Sequence, residues 1–229
     1  MTRISHLLLR TTDLAAARGF YDEILVGGCP DVVELPAAAR ARGAKPHWLG
    51  HIAVDDPAAM IAALVDRGAQ LLGPAFTTRG ATAQALRERG GAVIAIGGPG
   101  DATARSDLAW HLTWSHSPVE SLADHVELFG WQATTQVDTN GFGIHRGFAW
   151  TPGGPSVGAV ADVAAVAGVH AQWLYVFAVP DLDRVVAKVR ERGGLALGPT
   201  TLPSGARMAA CDDPQGGAFG LTDATTLAV

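Results

Sequence analysis

The sequence WLGHIAVD at residues 48–55 returns 125 residues later as WLYVFAVP at residues 173–180. Both stretches are apolar enough to form buried strands, and each is followed by a helical pattern with an aspartate near its start and a glycine after its end. The same offset relates three further pairs, Gly68 with Gly193, Gly73 with Gly198 and Pro74 with Pro199. Matches at one fixed offset are the signature of an internal repeat, so the chain is predicted to contain one α+β unit twice.

A weaker correspondence lies upstream of each of these stretches. Strand-like runs at residues 4–10 and 108–114 are each followed by a helical pattern, which Asp13 caps in the first case and Pro118 opens in the second. Each half therefore has the order strand, helix, strands twice. This organisation predicts two domains, residues 1–105 and residues 106–229.

The first domain is predicted to have a shortened first module. An alanine-rich stretch at residues 37–44 stands where the second half has strand-like runs, so a β-hairpin is missing there. Residues 77–89 add a segment with three arginines. A short helix and a mobile flap over a pocket both remain open for this segment, and a solvated surface insertion is favoured over them.

The composition narrows the class of protein. The chain has 229 residues, of which 48% are hydrophobic and 17% charged, and no apolar run has the length of a membrane span. Its net charge is −5 without a large basic cluster, which argues against nucleic acid as a partner. With only two distant cysteines and no signal peptide, a reducing cytoplasm is expected. A small molecule is the expected partner, and monomer and homodimer both remain open.

The two ends of the chain carry short motifs of a known superfamily. Residues 6–14 read HLLLRTTDL and residues 211–221 read CDDPQGGAFGL, with a closing Asp-Pro-x-Gly turn. Together with the repeat they resemble the vicinal oxygen chelate superfamily, which includes glyoxalase I, bleomycin resistance proteins and extradiol dioxygenases. The layout is similar to that of two-domain glyoxalase-like proteins. The resemblance implies an α+β fold with four tandem βαβββ modules, whose cupped mixed sheets enclose a cavity and carry their helices outside.

The resemblance also implies positions for a metal site, on the first and last strands of the modules. His6 falls on the first-strand position and Glu34 on the module-end carboxylate position. His51 lies two residues beyond the usual position, which holds Leu49, and Arg105 replaces the fourth ligand. Two histidines and a carboxylate could hold one divalent ion (Fe, Mn, Ni, Co or Zn), which would polarise paired substrate oxygens. The alternative is that the first domain holds no metal. The second domain is expected to have no family-type metal site in either case.

Other residues are candidates for catalysis and binding. Without a metal, Glu34 or a histidine would act as general base, and Arg105 would stabilise an oxyanion. In the second domain His111 and His145 could act as acid, base or hydrogen-bonding groups, although at least one is expected to face solvent. Indole side chains on a cupped sheet can stack on a flat ligand, and burial in the core is the competing expectation. The indoles proposed for ligand binding are Trp48, Trp110 and Trp173.

Two functions of different classes follow. In the first, the chain is an enzyme that acts on a small oxygenated metabolite, apolar or aromatic in character, by metal-assisted lyase, isomerase or dioxygenase chemistry. In the second, it is a non-catalytic protein without metal that sequesters an antibiotic or a metabolite. Because this fold serves many reactions, only the site can decide between them.

Overall fold

A computed structural model describes residues 2–29, 31–101, 105–139 and 141–227. These residues form two mixed β-sheets with five α-helices, as predicted for the fold class. None of the helices within the described ranges is both long and apolar enough to cross a membrane.

The first sheet has seven strands in the order β2-β1-β3-β7-β6-β4, with β5 paired to β6. β1 pairs parallel with β2 and antiparallel with β3. The strands are β1 (Ile4–Thr11), β2 (Asp31–Glu34), β3 (His47–Ala53), β4 (Gln70–Leu71), β5 (Phe76–Thr78), β6 (Ala81–Arg87) and β7 (Val93–Gly97), and the helices are α1 (Leu14–Ile24), α2 (Ala37–Ala41) and α3 (Pro57–Asp66).

The second sheet has eight strands in the order β13-β14-β15-β12-β8-β11-β10-β9. A single 3-10 turn, Val163–Ala165, follows β11. The strands are β8 (Leu108–Ser115), β9 (Gln132–Asp138), β10 (Ile144–Ala149), β11 (Gly158–Asp162), β12 (Gln172–Ala178), β13 (Leu195–Thr201), β14 (Arg207–Asp212) and β15 (Ala218–Thr222), and the helices are α4 (Pro118–Phe129) and α5 (Leu182–Glu191).

The local signals in the sequence explain where the helices begin. The carboxylates of Asp13, Asp56 and Asp181 each accept a hydrogen bond over 3.0 Å from the backbone N–H three residues on. Each bond satisfies one of the free N–H groups at a helix start. At the other end of α4, Gly130 adopts the left-handed conformation that favours glycine.

Two segments of the first half differ in structure from the second half or from expectation. Between β2 and β3 the chain forms the short helix α2, whereas the second half has the paired strands β9 and β10 before β11. Residues 77–89 are not a surface insertion, because most of them belong to β5 and β6 and join the sheet. The arginine-rich segment is therefore a structural part of the first half.

The two sheets pack against each other through one face each. Leu7, Leu9 and Trp48 of the first sheet share one apolar core with Trp173 and Phe177 of the second. The rings of Trp48 and Phe177 lie 5.1 Å apart between centroids. At this contact the backbone of β3 approaches β12 so closely that only glycine fits at position 50, since a Cβ there would lie 2.0 Å from the Tyr175 hydroxyl oxygen.

The opposite face of each sheet turns away from this core, and we call it the cup face. In the first sheet it carries Leu8 and Leu49 with three alanines, Ala83, Ala85 and Ala95, in a small separate cluster. In the second sheet it carries a larger cluster around Trp110, Leu112 and Trp114. Side chains alternate along a strand, so the cup face of β1 also receives His6 and Arg10.

Candidate functional site

Two histidines meet on the cup face of the first sheet. His6 of β1 lies directly across from His51 of β3 in the antiparallel register. Their rings stack with centroids 4.4 Å apart and an interplanar angle of 26°. Both residues are buried, with 6% and 2% of their surfaces exposed. Of the residues that the sequence singled out for the site, this is the pair that the structure brings together.

The hydroxyl of Ser5 fixes the hydrogen positions of both rings. It donates to the carbonyl oxygen of His51 over 2.9 Å, which leaves its oxygen free to accept. The Nδ1 atoms of His6 and His51 lie 3.3 and 3.2 Å from that oxygen. Each Nδ1 therefore carries the hydrogen, and each Nε2 keeps a lone pair that accepts.

The two Nε2 atoms have different surroundings. That of His6 lies 3.3 Å from the hydroxyl oxygen of Thr78, which can donate to it. That of His51 is buried and has no hydrogen-bond partner. It faces Gly97, where a Cβ would lie only 2.6 Å away. Glycine at this position lets the basic nitrogen, which lacks a donor, lie close against β7, where a side chain would clash with it.

Burial keeps both rings neutral. Burial, with a smaller contribution from the neighbouring His6, lowers the pKa of His51 to about 4. Burial is also the main cause of the lowered pKa of His6, with the guanidinium of Arg79 adding to it and the carboxylate of Asp31 opposing it. Near pH 7 the pair consists of two uncharged imidazoles.

An ion pair closes one side of the histidine pair. Nε of Arg79 lies 2.5 Å from a carboxylate oxygen of Asp31. Asp31 begins β2 and lies across from Leu8 in the parallel register with β1. Arg79 stands at the tip of the β5–β6 hairpin, directly after Thr78. The ion pair thus joins the hairpin to the opposite edge of the sheet, next to His6.

A single cation lies at the other end of the cup face. Arg10 is four residues beyond His6 on the same face of β1, and its guanidinium carbon lies 4.5 Å from the ring centroid of Phe76. Its Nε atom is buried without a hydrogen-bond partner, and burial lowers its pKa. Opposite it, His47 has its Nδ1 atom 2.8 Å from the carbonyl oxygen of Lys45. Arg10 has no carboxylate partner among the described residues.

The structure separates Glu34 and Arg105 from the histidines. Glu34 lies across from Thr11, at the far end of β1 from His6, and its side chain is 63% exposed and paired with Arg40. Arg105 forms a two-pronged ion pair with Asp107 over 2.9 and 2.8 Å, and it also donates to the carbonyl oxygen of Gly28. Neither contacts the pair, because the register of β2 and the position of Asp107 hold them elsewhere.

The residues around the histidines do not fit the three-ligand metal site that the resemblance implied. Glu34 is too far along the sheet, and the nearer carboxylate, Asp31, is held by Arg79. In the described part of the chain, no three or more His, Cys, Asp or Glu side chains are gathered for an ion. His6 and His51 supply two donors at most, which is fewer than a tight divalent site needs.

The second sheet places its two histidines on opposite faces, both buried. His145 lies on the cup face against Trp114, and its Nε2 atom is buried without a partner. His111 lies on the packed face, with its Nδ1 atom 2.9 Å from the carbonyl oxygen of Val157. Burial lowers the pKa of each to about 4. The expectation that one of them faces solvent is wrong, since both are at most 8% exposed.

The three indoles proposed for ligand binding are all in packed cores. Trp48 and Trp173 lie between the sheets, and each is 3% exposed. Trp110 is 1% exposed within the apolar cluster of the second cup face. Their contacts are with other side chains of the protein, which is the core placement that the sequence left open as the alternative.

Sequence reasoning missed Arg10 and Asp31. Arg10 has a signal that could have been used, because a charged side chain four residues from His6 falls on the same face of a buried strand. Asp31 has no such signal. Its position depends on the parallel register between β1 and β2, which the sequence does not reveal.

Comparisons with known proteins agree with this fold. Residues 117–221 match the model of the Glyoxalase/Bleomycin resistance protein/Dioxygenase superfamily. A protein of Mycobacterium tuberculosis named "Putative glyoxylase CFP32" is 26% identical over 241 residues, which cover 92% of this chain and 90% of that protein.

Solved structures extend the likeness over nearly the whole chain. The Mn(II)-bound glyoxalase from Novosphingobium aromaticivorans has a TM-score of 0.59 at 12% identity, and the match covers 100% of this chain and 84% of that one. Homoprotocatechuate 2,3-dioxygenase from Brevibacterium fuscum, in complex with 3,4-dihydroxyphenylacetate, has a TM-score of 0.60 at 13% identity and covers 95% and 79%. Similarity at this identity establishes the fold alone.

Proposed function

We propose that the chain is a member of the superfamily of glyoxalases, bleomycin resistance proteins and dioxygenases, and that the cup of its first sheet binds a small oxygenated molecule. The ligand has an apolar or aromatic body, a hydroxyl for His51 and an anionic or acceptor group for Arg10. The observation that carries the proposal is the presence on one cup face of two buried polar atoms without partners, Nε2 of His51 and Nε of Arg10.

The unpartnered Nε2 atom of His51 favours a ligand group that donates a hydrogen bond. A buried acceptor without a hydrogen bond costs about 1–3 kcal/mol, and most buried polar atoms in folded proteins are satisfied. Because Ser5 fixes the hydrogen on Nδ1, Nε2 can only accept while the ring is neutral. A ligand hydroxyl that reaches Nε2 would supply the missing hydrogen.

The guanidinium of Arg10 favours a ligand that carries a negatively charged group. A half-buried cation that faces an aromatic ring, without a carboxylate beside it, is better satisfied by an anionic ligand oxygen than by another cation. Arg10 and His6 lie about 13 Å apart along β1 at the usual rise of a strand, and the long arginine side chain can shorten that span. The ligand therefore has its hydroxyl and its anionic group at opposite ends.

The floor between these two ends is apolar. It consists of Leu8, Leu49, Ala83, Ala85 and Ala95. All five are at most 4% exposed, and Leu72, Phe76 and Val93 pack against them. An apolar or aromatic ligand body would lie against this floor, as in most small-molecule pockets, where a few polar groups orient an apolar ligand.

The chemistry open to the site is acid–base chemistry of modest strength. With a pKa of about 4, His51 is unprotonated at pH 7 but a weak base, so it suits the removal of a proton from an acidic ligand hydroxyl. Arg10 would stabilise the oxygen that becomes negative. Proton abstraction of this kind belongs to lyase and isomerase reactions.

A binding role without turnover is the second candidate. It is favoured by the side chains around the proposed ligand site. The two stacked histidines are neutral and Asp31 is held in an ion pair, so the described residues around them offer no free charged base. In this case the same contacts would sequester the ligand unchanged.

Calorimetric titration with 3,4-dihydroxyphenylacetate, which has hydroxyls at one end and a carboxylate at the other, tests the proposal. We expect binding that weakens about tenfold in His51→Phe, the loss of one good hydrogen bond, and at least as much in Arg10→Gln. His145→Phe is the matched control, since it removes a histidine of equal pKa from the other cup.

Equal binding by wild type, His51→Phe and Arg10→Gln would overturn the proposed site, and so would the absence of any binding. Mass spectrometry of the ligand after prolonged incubation separates the two candidate functions. A changed ligand supports the enzyme, whereas an unchanged ligand recovered in full supports the binder.

A further inference from the structure

The strand β5 lies across the cup face of the first sheet, and its described residues form no backbone ladder with the strands beneath it. Within the described residues it pairs only with β6. Its side chains nevertheless reach β1 at two places, where Phe76 lies against Arg10 and Thr78 lies beside His6. Together with the hairpin tip, residues 76–81 form a cover over the proposed ligand site, which we call the flap.

The flap is held at its tip by the Arg79–Asp31 ion pair. The side chains of Arg79 and Asp31 are 30% and 36% exposed, so water reaches both. The carbonyl oxygen of Arg79 also accepts from the N–H of Asp101. These polar contacts, and not a continuous ladder of strand hydrogen bonds, connect the flap tip to the rest of the molecule.

The backbone at this tip is unusual. Arg79 has a φ of +44° and is followed by Gly80 at +76°. Two residues with positive φ make the turn that favours asparagine before glycine, and an arginine there is strained. A strained residue at such a place points to a role for its side chain. The contacts of this side chain include the bond to Asp31 and a longer one, over 3.5 Å, to the carbonyl oxygen of Asp101.

The repeat supplies an internal comparison. The offset of 125 places the flap over residues 201–206 of the second half, where Gly205 has the positive φ of Gly80 and Ser204 replaces Arg79. There Leu202 is 7% exposed and packs into the second cup cluster together with Leu227. Ser204 donates to the carbonyl oxygen of Leu227 over 2.9 Å. The cover of the second cup is thus held by apolar packing and one hydroxyl hydrogen bond, and residues 201–206 carry no charged side chain.

We propose that the flap opens over His6 and His51 when the Arg79–Asp31 pair breaks, and that the first cup, not the second, admits a ligand. The inference rests on the proposed function in one respect, since it takes the histidine pair as the ligand site. Partly exposed ion pairs contribute little to stability, typically about 0.2–1 kcal/mol of free energy, so this one can break and re-form readily. Salt weakens it further.

Histidine labelling with diethyl pyrocarbonate, followed by peptide mass spectrometry, measures the opening without any ligand. In the wild type we expect slow labelling of His6 and His51 and fast labelling of the exposed His116. Asp31→Asn and Arg79→Asn should each raise the rate at His6 and His51 about two- to fivefold, the range set by one partly exposed ion pair. Asparagine suits the positive φ at position 79, so the turn itself is kept.

Two controls separate the flap from general loosening. Glu34→Gln breaks another ion pair on the same strand, that with Arg40, and should leave the rates at His6 and His51 unchanged. His145 in the second cup should label slowly in every variant. The charge reversal Asp31→Arg with Arg79→Asp should restore slow labelling at His6 and His51.

The inference is overturned if His6 and His51 label as fast as His116 in the wild type, or if both asparagine variants keep wild-type rates while unfolding at the wild-type urea midpoint. It is also overturned if His145 accelerates in parallel with the pair. Failure of the proposed function would appear separately, as an open flap in a protein whose titration with 3,4-dihydroxyphenylacetate shows no binding.

Discussion

Trp173 of the second sheet donates its indole N–H to the carboxylate of Glu88, at the end of β6 in the first half, over 2.9 Å. The other oxygen of Glu88 lies 2.7 Å from Nε2 of His125. One repeat offset further on, Asp213 accepts from the hydroxyl of Tyr21, which in turn accepts from the indole of Trp48. Each half therefore supplies a buried acid that anchors the tryptophan of the other half.

Replacement of Glu88 should lower the stability of the whole molecule. In Glu88→Gln one of the two donors, Trp173 or His125, faces an amide N–H in place of a carboxylate oxygen, and both are buried. We expect the free energy of unfolding to fall by about 2–4 kcal/mol, as for a broken buried polar pair. Urea denaturation followed by tryptophan fluorescence measures it. Glu34→Gln, an exposed acid, should change it by less than about 0.5 kcal/mol, and an equal effect of both variants would contradict the prediction.

The close approach of β3 and β12 gives a second prediction. A Cβ in Gly50→Ala would lie 2.0 Å from the hydroxyl oxygen of Tyr175 and 2.9 Å from the ring carbon that bears it. Because both sheets are fixed by their own hydrogen bonds, overpacking here should cost about 2–4 kcal/mol of the free energy of unfolding. Tyr175→Phe removes the clashing oxygen and should restore part of that loss in the double variant. A Gly50→Ala protein as stable as wild type would show that the sheets can separate at this point.

How much of this could be predicted depends on which physical signal each feature leaves in the sequence. The duplicated unit was predictable, because two copies of one strand and its helix signals recur at a fixed offset. His6 and His51 were predictable as a pair, because both stand on inward positions of neighbouring first strands. These features depend on patterns within single elements.

The remaining features depend on how separate strands pair and which face each strand turns to the cup. Residues 48–55 are apolar on both faces of the strand, so alternation alone cannot say which face turns to the cup, and Trp48 is on the packed face while Leu49 and His51 are on the cup face. The position of Glu34 depends on the register of a four-residue parallel strand, for which the sequence has no marker. The partner of Asp31 depends on a hairpin that bends across the sheet from its far edge.

The buried histidines give the protein a pH-dependent stability with a definite sign. The pKa values of His51, His111 and His145 are each lowered to about 4, below the ordinary 6.5 of the unfolded chain, mainly by burial. Their unprotonated forms favour the folded state, so this contribution is complete above about pH 6.5 and is lost as pH falls toward 4. Each fully buried ring can account for on the order of 2 kcal/mol over that interval.

Asp213 acts in the opposite direction, because burial raises its pKa and its contribution to stability grows as pH falls. A comparison of variants isolates the histidine contribution. As the pH falls from 6.5 to 4.5, the urea midpoint of His145→Gln should decrease less steeply than that of the wild type. His116→Gln, at an exposed position, should keep the wild-type slope. Identical slopes for wild type and His145→Gln would contradict the assignment.

The donor set predicts the metal content of the protein. His6 and His51 offer two neutral nitrogens, Glu34 is occupied by Arg40 at the surface, and Asp31 is held by Arg79, so a divalent ion would find two protein ligands where a tight site needs three or four. Tag-free protein is therefore expected to contain well under one equivalent of Fe, Mn, Ni, Co or Zn by plasma mass spectrometry, and added Mn²⁺ should not raise the thermal midpoint.

The variant Arg79→Asn supplies the informative comparison, because it frees the carboxylate of Asp31 next to His6. If Mn²⁺ then stabilises the variant but not the wild type, the ion pair is what keeps a third ligand from the histidines. Stoichiometric metal in the wild type that is lost in His6→Ala would show instead that the Asp31–Arg79 pair yields to the ion.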